Sequence, residues 1–155
     1  MFEAQTEWIS PESFPDLKDH KYIAIDLETR DPGLKSKGSG ALINEGEIIG
    51  IAVAVEGWSG YYSFGHKEGN FFDESAVMNW IKDVCALPCV KLFHNAMYDV
   101  CWLRAYGVQI NGHIVDTMVM ASLVDENRLW YSLNSLSIDY LGQIKDETAL
   151  KTAAD

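Results

Sequence analysis

The segment KYIAIDLE, residues 21–28, constrains the architecture more than any other stretch. Its apolar residues run straight into Asp26 and Glu28. In a strand, residues two apart point to the same side, with Cα atoms roughly 6.5 Å apart at a rise of ~3.3 Å per residue. The two carboxylates therefore share one face at the carboxyl end of a strand expected to be buried on both faces near its start. Two ionised carboxylates this close repel each other, and burying them without partners costs several kcal/mol. A hard divalent cation bound through oxygen removes the conflict. Two surface acids at a strand edge is the alternative that this spacing leaves open.

The rest of the chain alternates strand-like and helix-like patterns. Residues 31–46, with Pro32, Gly33, Gly38, Gly40 and Gly46, read as a long loop. EIIGIAVAVEG and SGYYSFGH read as two strands, and the link Gly57-Trp58-Ser59-Gly60 makes them an antiparallel hairpin. Asp73 opens a helix through ESAVMNWIKDVCAL, with an apolar stripe at 77, 80, 81, 84 and 87 and a stop at Pro88. CVKLFHN is a further strand, followed by the helix AMYDVCWLRAY, ended by Gly107. GHIVDT makes a short strand and MVMASLVDE a helix. SLNSLSIDYLG forms a last helix between Ser132 as N-cap and Gly142. The tail QIKDETALKTAAD is polar and helix-prone. This order predicts an α/β fold, a mixed sheet flanked by helices. The first 20 residues are expected to be an N-terminal extension, with the domain proper at 21–155.

With 155 residues the chain suffices for one domain with a core and is short for two. No apolar run approaches the ~18 residues that span a bilayer, and the start lacks the pattern of a secretory signal. Cys85, Cys89 and Cys101 are odd in number and form no CxxC pair, which points to three buried free thiols in a reducing compartment rather than a disulfide framework or zinc site. The net charge of −11 argues against a broad basic face for nucleic acid. It does not exclude a site whose acids hold cations.

A second acidic position strengthens that possibility. HNAMYD places Asn95 at the end of an apolar strand and Asp99 four residues later. With Asn95 as the N-cap, Asp99 lies one turn into the helix, turned toward the sheet end that carries Asp26 and Glu28. An acid placed for the helix dipole would explain Asp99 alone, without the strand and Asn before it. Asp116, at the end of IVDT, reads as structural and is expected to cap the helix after it.

Together, AIDLET and HNAMYD resemble the first and second motifs of the DEDD superfamily of 3′–5′ exonucleases, which have a ribonuclease-H-like fold. The similarity is greatest to the proofreading domain of family A DNA polymerases, phage enzymes above all. It extends through TRDPGLKSKGSGALINEGEIIGIAVA and IVDTMVMASLVDENRLWYSLNSLSIDYLG and covers roughly residues 20–150.

The resemblance implies hydrolysis of the terminal phosphodiester at a single-stranded DNA 3′ end with two divalent cations, Mg²⁺ or Mn²⁺. It implies Asp26, Glu28 and Asp99 as catalytic metal ligands, and a setting in the cytoplasm of a bacterium or phage-infected host. It implies Thr29 at the terminal nucleotide through its backbone N–H, Leu27 or Leu34 wedged against the last base, and Asn95 and Tyr98 along the strand. Arg30, Lys35 and Lys37 are candidates for phosphate contacts, against a solvated loop as the alternative.

The family's third motif, a Tyr or His ahead of a final Asp, is not found. Lys151 stands where Tyr would precede Asp155. The chain is therefore expected to be a piece of a larger polymerase that stops before this motif, and to be weakly active or inactive alone. A phosphotransferase with an Asp nucleophile is disfavoured, because Glu28 stands where a second Asp is needed. A non-catalytic scaffold or partner-binding module of the same fold is the remaining alternative. His20, His66, His94 and His113 share no ligand spacing, and Trp80, Trp102 and Met118 to Met120 read as helical core positions.

Overall fold

Strand β1 (Tyr22–Arg30) alternates strictly at its start: Ile23, Ile25 and Leu27 are buried, while Tyr22 and Asp26 are exposed and Ala24 is half-buried. The expectation of burial on both faces fails here, since one face of β1 carries the core and the other carries the acids. The computed structural model describes residues 10–143. The expected helix-prone tail from Ile144 onward, with Lys151 and Asp155, lies outside the described residues, as do residues 1–9.

β1 is the middle of a five-stranded sheet in the order β3-β2-β1-β4-β5. β2 (Glu47–Val55) and β3 (Trp58–Ser63) continue it as antiparallel neighbours, and β4 (Val90–Phe93) and β5 (Ile114–Asp116) as parallel ones. The sheet is mixed, as expected. The hairpin turn is Glu56-Gly57, so of the link expected at 57–60 only Gly57 lies in the turn and the other three residues open β3; Gly57 has φ 81°, where a side chain would be strained.

Helix α3 (Glu74–Ala86) starts as predicted, with Asp73 accepting from the Ala76 N–H at 2.9 Å. It buries Val77, Met78, Ile81, Val84 and Cys85, and α4 (Ala96–Ala105) buries Val100, Trp102 and Leu103; both join one core with the apolar face of β1 and β2. Phe14 and Leu17, ahead of β1, belong to that core too. Phe14 stacks on Tyr62, Tyr62 donates to the Ser13 carbonyl, and Trp80 donates to the Pro15 carbonyl. Lys91 is fully buried, and its ammonium donates to the carbonyls of Leu87, Cys89 and Asn111.

Two short helices, α1 (Leu34–Lys37) and α2 (Gly40–Ile43), occupy the region read as a plain loop. Side-chain clamps order it: Asp31 accepts from the Gly40 N–H at 3.0 Å, and Lys37 grips both oxygens of Glu45 at 2.7 Å. Only Cys85 of the three free thiols is buried; Cys89 and Cys101 are half-exposed.

Residues 10–117 form one compact unit, and residues 118–143 belong to another. In α5 (Thr117–Val124), Val119 and Met120 are half-exposed rather than in a core. α6 (Leu133–Leu141) begins at Ser132, which accepts from the Ser135 N–H, and ends at Gly142 as predicted. Arg128 pairs with Asp139 in this second unit and lies over the Tyr140 ring. Among the described residues no helix is long and apolar enough to cross a membrane.

Candidate active site

The site follows from a mismatch in strand length. β4 pairs with β1 from Tyr22↔Val90 to Ala24↔Leu92. β4 ends at Phe93 while β1 runs on to Arg30, so β1 amides that point away from β2 near its end, Leu27 among them, face a lane that β4 has left.

The chain leaves that lane through a sharp corner. Asn95 takes a left-handed conformation, φ 67° and ψ 54°, which Asn tolerates better than most residues. It stands at the N-cap of α4, but its side chain makes no capping bond. Asp116 does that work from the end of β5, accepting from the Asn95 N–H at 3.0 Å and the Ala96 N–H at 2.8 Å. Asp116 is thus structural, as expected, and it caps the preceding α4. A carboxylate there also complements the positive end of the helix dipole. Thr117 locks the same corner by donating to the Phe93 carbonyl at 3.0 Å.

α4 then delivers Asp99 into the vacated lane. Its Oδ1 accepts from the Leu27 N–H at 3.2 Å, a donor that a longer β4 would have used. Asp99 is 4% exposed. Burial, and next the charge of Asp26, raise its carboxyl from 3.8 to about 7, partly offset by the Leu27 and Asp99 backbone N–H groups. Asp26 and Asp99, 73 positions apart in sequence, therefore act on each other electrostatically.

Asp26 and Glu28 stand on the face of β1 away from the core, across from Ala52 and Gly50. These small partners on β2 put no bulky side chain of their own over that face. A bulge follows: Glu28 faces Gly50 but Thr29 faces Ile48. The shift re-aims Thr29, and its hydroxyl lies 2.7 Å from that of Tyr98. Tyr98 in turn donates to Asp31 at 3.1 Å. Thr29 and Tyr98 are thus brought together beside the acids.

The remaining sequence candidates are placed differently. Leu27 is 7% exposed, with its side chain in the core; only its amide faces the site. Leu34 is 42% exposed, on α1. Arg30 is engaged by Glu47 and the Gly65 carbonyl, and Lys37 by Glu45.

Sequence reasoning passed over Asp31, which reads as an ordinary turn residue in RDPG. It also passed over Tyr61 and His66. In GYYS two adjacent tyrosines alternate faces, and the pattern alone does not say which one looks toward the acids. The register does: Tyr61 shares the row of Asp26 and Ala52, while Tyr62 is fully buried in the core.

Among the described residues no three His, Cys, Asp or Glu side chains are gathered closely enough to form a ready cation cage. The donor chemistry still fits a hard divalent ion. Asp99 and Asp26 are acids that act on each other electrostatically, and burial, then Asp26 and less so Asp116, oppose the charge of Asp99.

The same fold occurs in solved nucleases. NrnC of Brucella melitensis with bound Mg²⁺ superposes with a TM-score of 0.62 at 14% identity, covering 86% of this chain and 59% of that one. RNase D of Escherichia coli, an exoribonuclease, gives 0.60 at 15% identity over 86% of this chain and 31% of its own. Pol1 of M. smegmatis, in complex with DNA primer-template and dNTP, gives 0.59 at 17% identity over 87% and 21%. These likenesses define a ribonuclease-H-like fold.

The sequence narrows it further. Residues 4–155 match the 3′–5′ exonuclease family model of family A DNA polymerases, and the chain belongs to that family. Its relatives include a DNA-directed DNA polymerase of Pseudomonas phage M6, 28% identical over 96% of this chain, and DNA polymerase DpoZ of Acinetobacter phage SH-Ab 15497, 30% identical over 86%. The chain spans 24% and 19% of the lengths of those two polymerases.

Proposed function

We propose that this chain is the proofreading part of a DNA polymerase, removing the terminal nucleotide of a single-stranded DNA 3′ end with two divalent cations, Mg²⁺ or Mn²⁺. The observation that carries the reading is the Asp99–Leu27 hydrogen bond, which holds the α4 carboxylate beside Asp26 in the lane that β4 vacates. Asp26, Glu28 and Asp99 would hold the cations, which supply electrostatic stabilisation and an activated water at the scissile phosphate.

The chain's own residues set up that chemistry. Asp99 keeps its proton near neutral pH until a competing cation makes its charged form favourable. Thr29 and Tyr98, linked at 2.7 Å and anchored on Asp31, offer hydroxyls where the terminal sugar and phosphate would lie. Asn95 and the exposed Leu34 would flank the strand. The polymerase part of a longer chain would supply most of the duplex affinity, in keeping with a domain that carries 23 acids against 12 bases.

The test is release of nucleotides from 3′-labelled single-stranded DNA in Mn²⁺, by this chain and by one extended past residue 155. Asp26→Ala and Asp99→Ala should each abolish cleavage in whichever form is active. Cleavage that survives Asp26→Ala in both would refute the assignment.

A further inference from the structure

We propose that Tyr61 and His66 form a positioning pair for Glu28, in which the phenol, held by the imidazole, donates a hydrogen bond to the carboxylate that serves the site. The proposal rests on the reading above of Asp26, Glu28 and Asp99 as cation ligands, and it adds to them a residue from the edge strand β3.

Three placements support it. First, the two strand registers put Asp26, Ala52 and Tyr61 in one row, and Glu28, Gly50 and Ser63 in the next, two residues along. Directly opposed residues project from the same face, so Tyr61 stands on the acid face. Second, its ring leans into the Glu28 row. A Cβ built on Gly50 would lie 2.0 Å from the Tyr61 hydroxyl oxygen, so that oxygen occupies the space over Gly50. Cβ atoms of directly opposed residues lie about 4.5–5.5 Å apart, so the hydroxyl sits within reach of the carboxylate on the two-carbon Glu28 stem. Gly50 is what permits this, because any side chain there would push the phenol away.

Third, the phenol is held. His66 Nε2 lies 2.5 Å from the Tyr61 oxygen, with the two rings edge to face. His66 is itself fixed by Asn70, whose side-chain oxygen accepts from the His66 N–H at 2.8 Å and whose amide donates to the His66 carbonyl at 2.6 Å. With His66 Nε2–H donating to the phenol oxygen, the phenol's hydrogen is directed to Glu28. A neutral, fixed donor suits a ligand carboxylate: it orients one oxygen and leaves the other for a cation, without the charge that a Lys or Arg would put into the site.

The experiment is Mn²⁺ titration by calorimetry of this chain, of Tyr61→Phe, His66→Ala and His66→Gln, and of Asp26→Ala as control, with thermal melts of each. Outer partners of metal ligands typically contribute about 10–100-fold in affinity. Tyr61→Phe should therefore weaken Mn²⁺ binding about tenfold while melting as the wild type does. His66→Ala should weaken it less, and His66→Gln, whose amide can meet the same hydroxyl, should restore it; that rescue separates positioning from packing.

Wild-type affinity in Tyr61→Phe overturns the proposal and leaves the cation site standing. Equal losses in His66→Ala and His66→Gln overturn the role given to His66. Absence of Asp26-dependent Mn²⁺ binding in the wild type overturns the underlying reading and the proposal together. Should Tyr61→Phe not fold, the two His66 variants decide the matter alone.

Discussion

Asp99→Asn should make the metal-free protein more stable at neutral pH while removing its nuclease function. The folded state raises the Asp99 carboxyl from 3.8 to about 7. Between those values the folded chain holds a proton that the unfolded chain has lost, so stability falls as pH rises through that window and levels off above it. At about 1.4 kcal/mol per tenfold, the full penalty above pH 7 is up to about 4 kcal/mol. Asparagine keeps an oxygen to accept from the Leu27 N–H, now at 3.2 Å from Asp99, and carries no charge to oppose Asp26. Its added NH₂ group would donate to the Asp26 carboxylate, but fitting a new buried donor costs about 1–2 kcal/mol.

The net expectation is a gain of about 2 kcal/mol at pH 8, which in a domain of this size raises Tm by roughly 4–8 °C. The gain should disappear by pH 4, close to the unfolded value of 3.8, where the folded state keeps its Asp99 proton and the unfolded chain has regained much of its own. Thermal or urea unfolding in EDTA at several pH values between 4 and 8.5 measures it. Excess Mn²⁺ should then stabilise the wild type by mass action and move the variant far less. A variant that tracks the wild type at every pH, or is less stable at pH 8, would show that Asp99 does not carry the burden assigned to it.

Three further outcomes follow from the same geometry. Mn²⁺ binding near pH 6.5 should release protons, seen as a calorimetric enthalpy that varies with buffer ionisation, and Asp99→Asn should remove that variation. Gly50→Ala should cost about 1–3 kcal/mol in urea unfolding, because the new methyl overlaps the Tyr61 hydroxyl. Asp116→Ala should cost about 1–2 kcal/mol by stripping the cap from α4, and should lower nuclease rates through the misplacement of Asp99.

Much of the fold could be read without coordinates. The strands and the larger helices fall where period, turn residues and caps place them, down to Asp73, Ser132 and Gly142. These signals are local: each is satisfied within a few residues along the chain. The errors cluster where a distant partner decides. Residues 31–46 look like loop because their order comes from Asp31 and from the Lys37–Glu45 clamp. Asn95 looks like a cap because its competitor, Asp116, lies 21 positions away. Leu27 is next to two acids in sequence and on the opposite face of the strand in space.

The sequence by itself determined that Asp26 and Glu28 share a face, because period-two geometry is a property of any extended chain. It also determined that Asp99 lies in the first turn of a helix, and, by resemblance, the family to which these acids belong. The tertiary structure decided the rest. β4 stops short of β1, so the Leu27 amide is left for Asp99, and the register across three strands carries Tyr61 to the row of Asp26. Strand length and cross-strand register depend on how the whole sheet packs against its core, and that information is not held in any one segment of the chain.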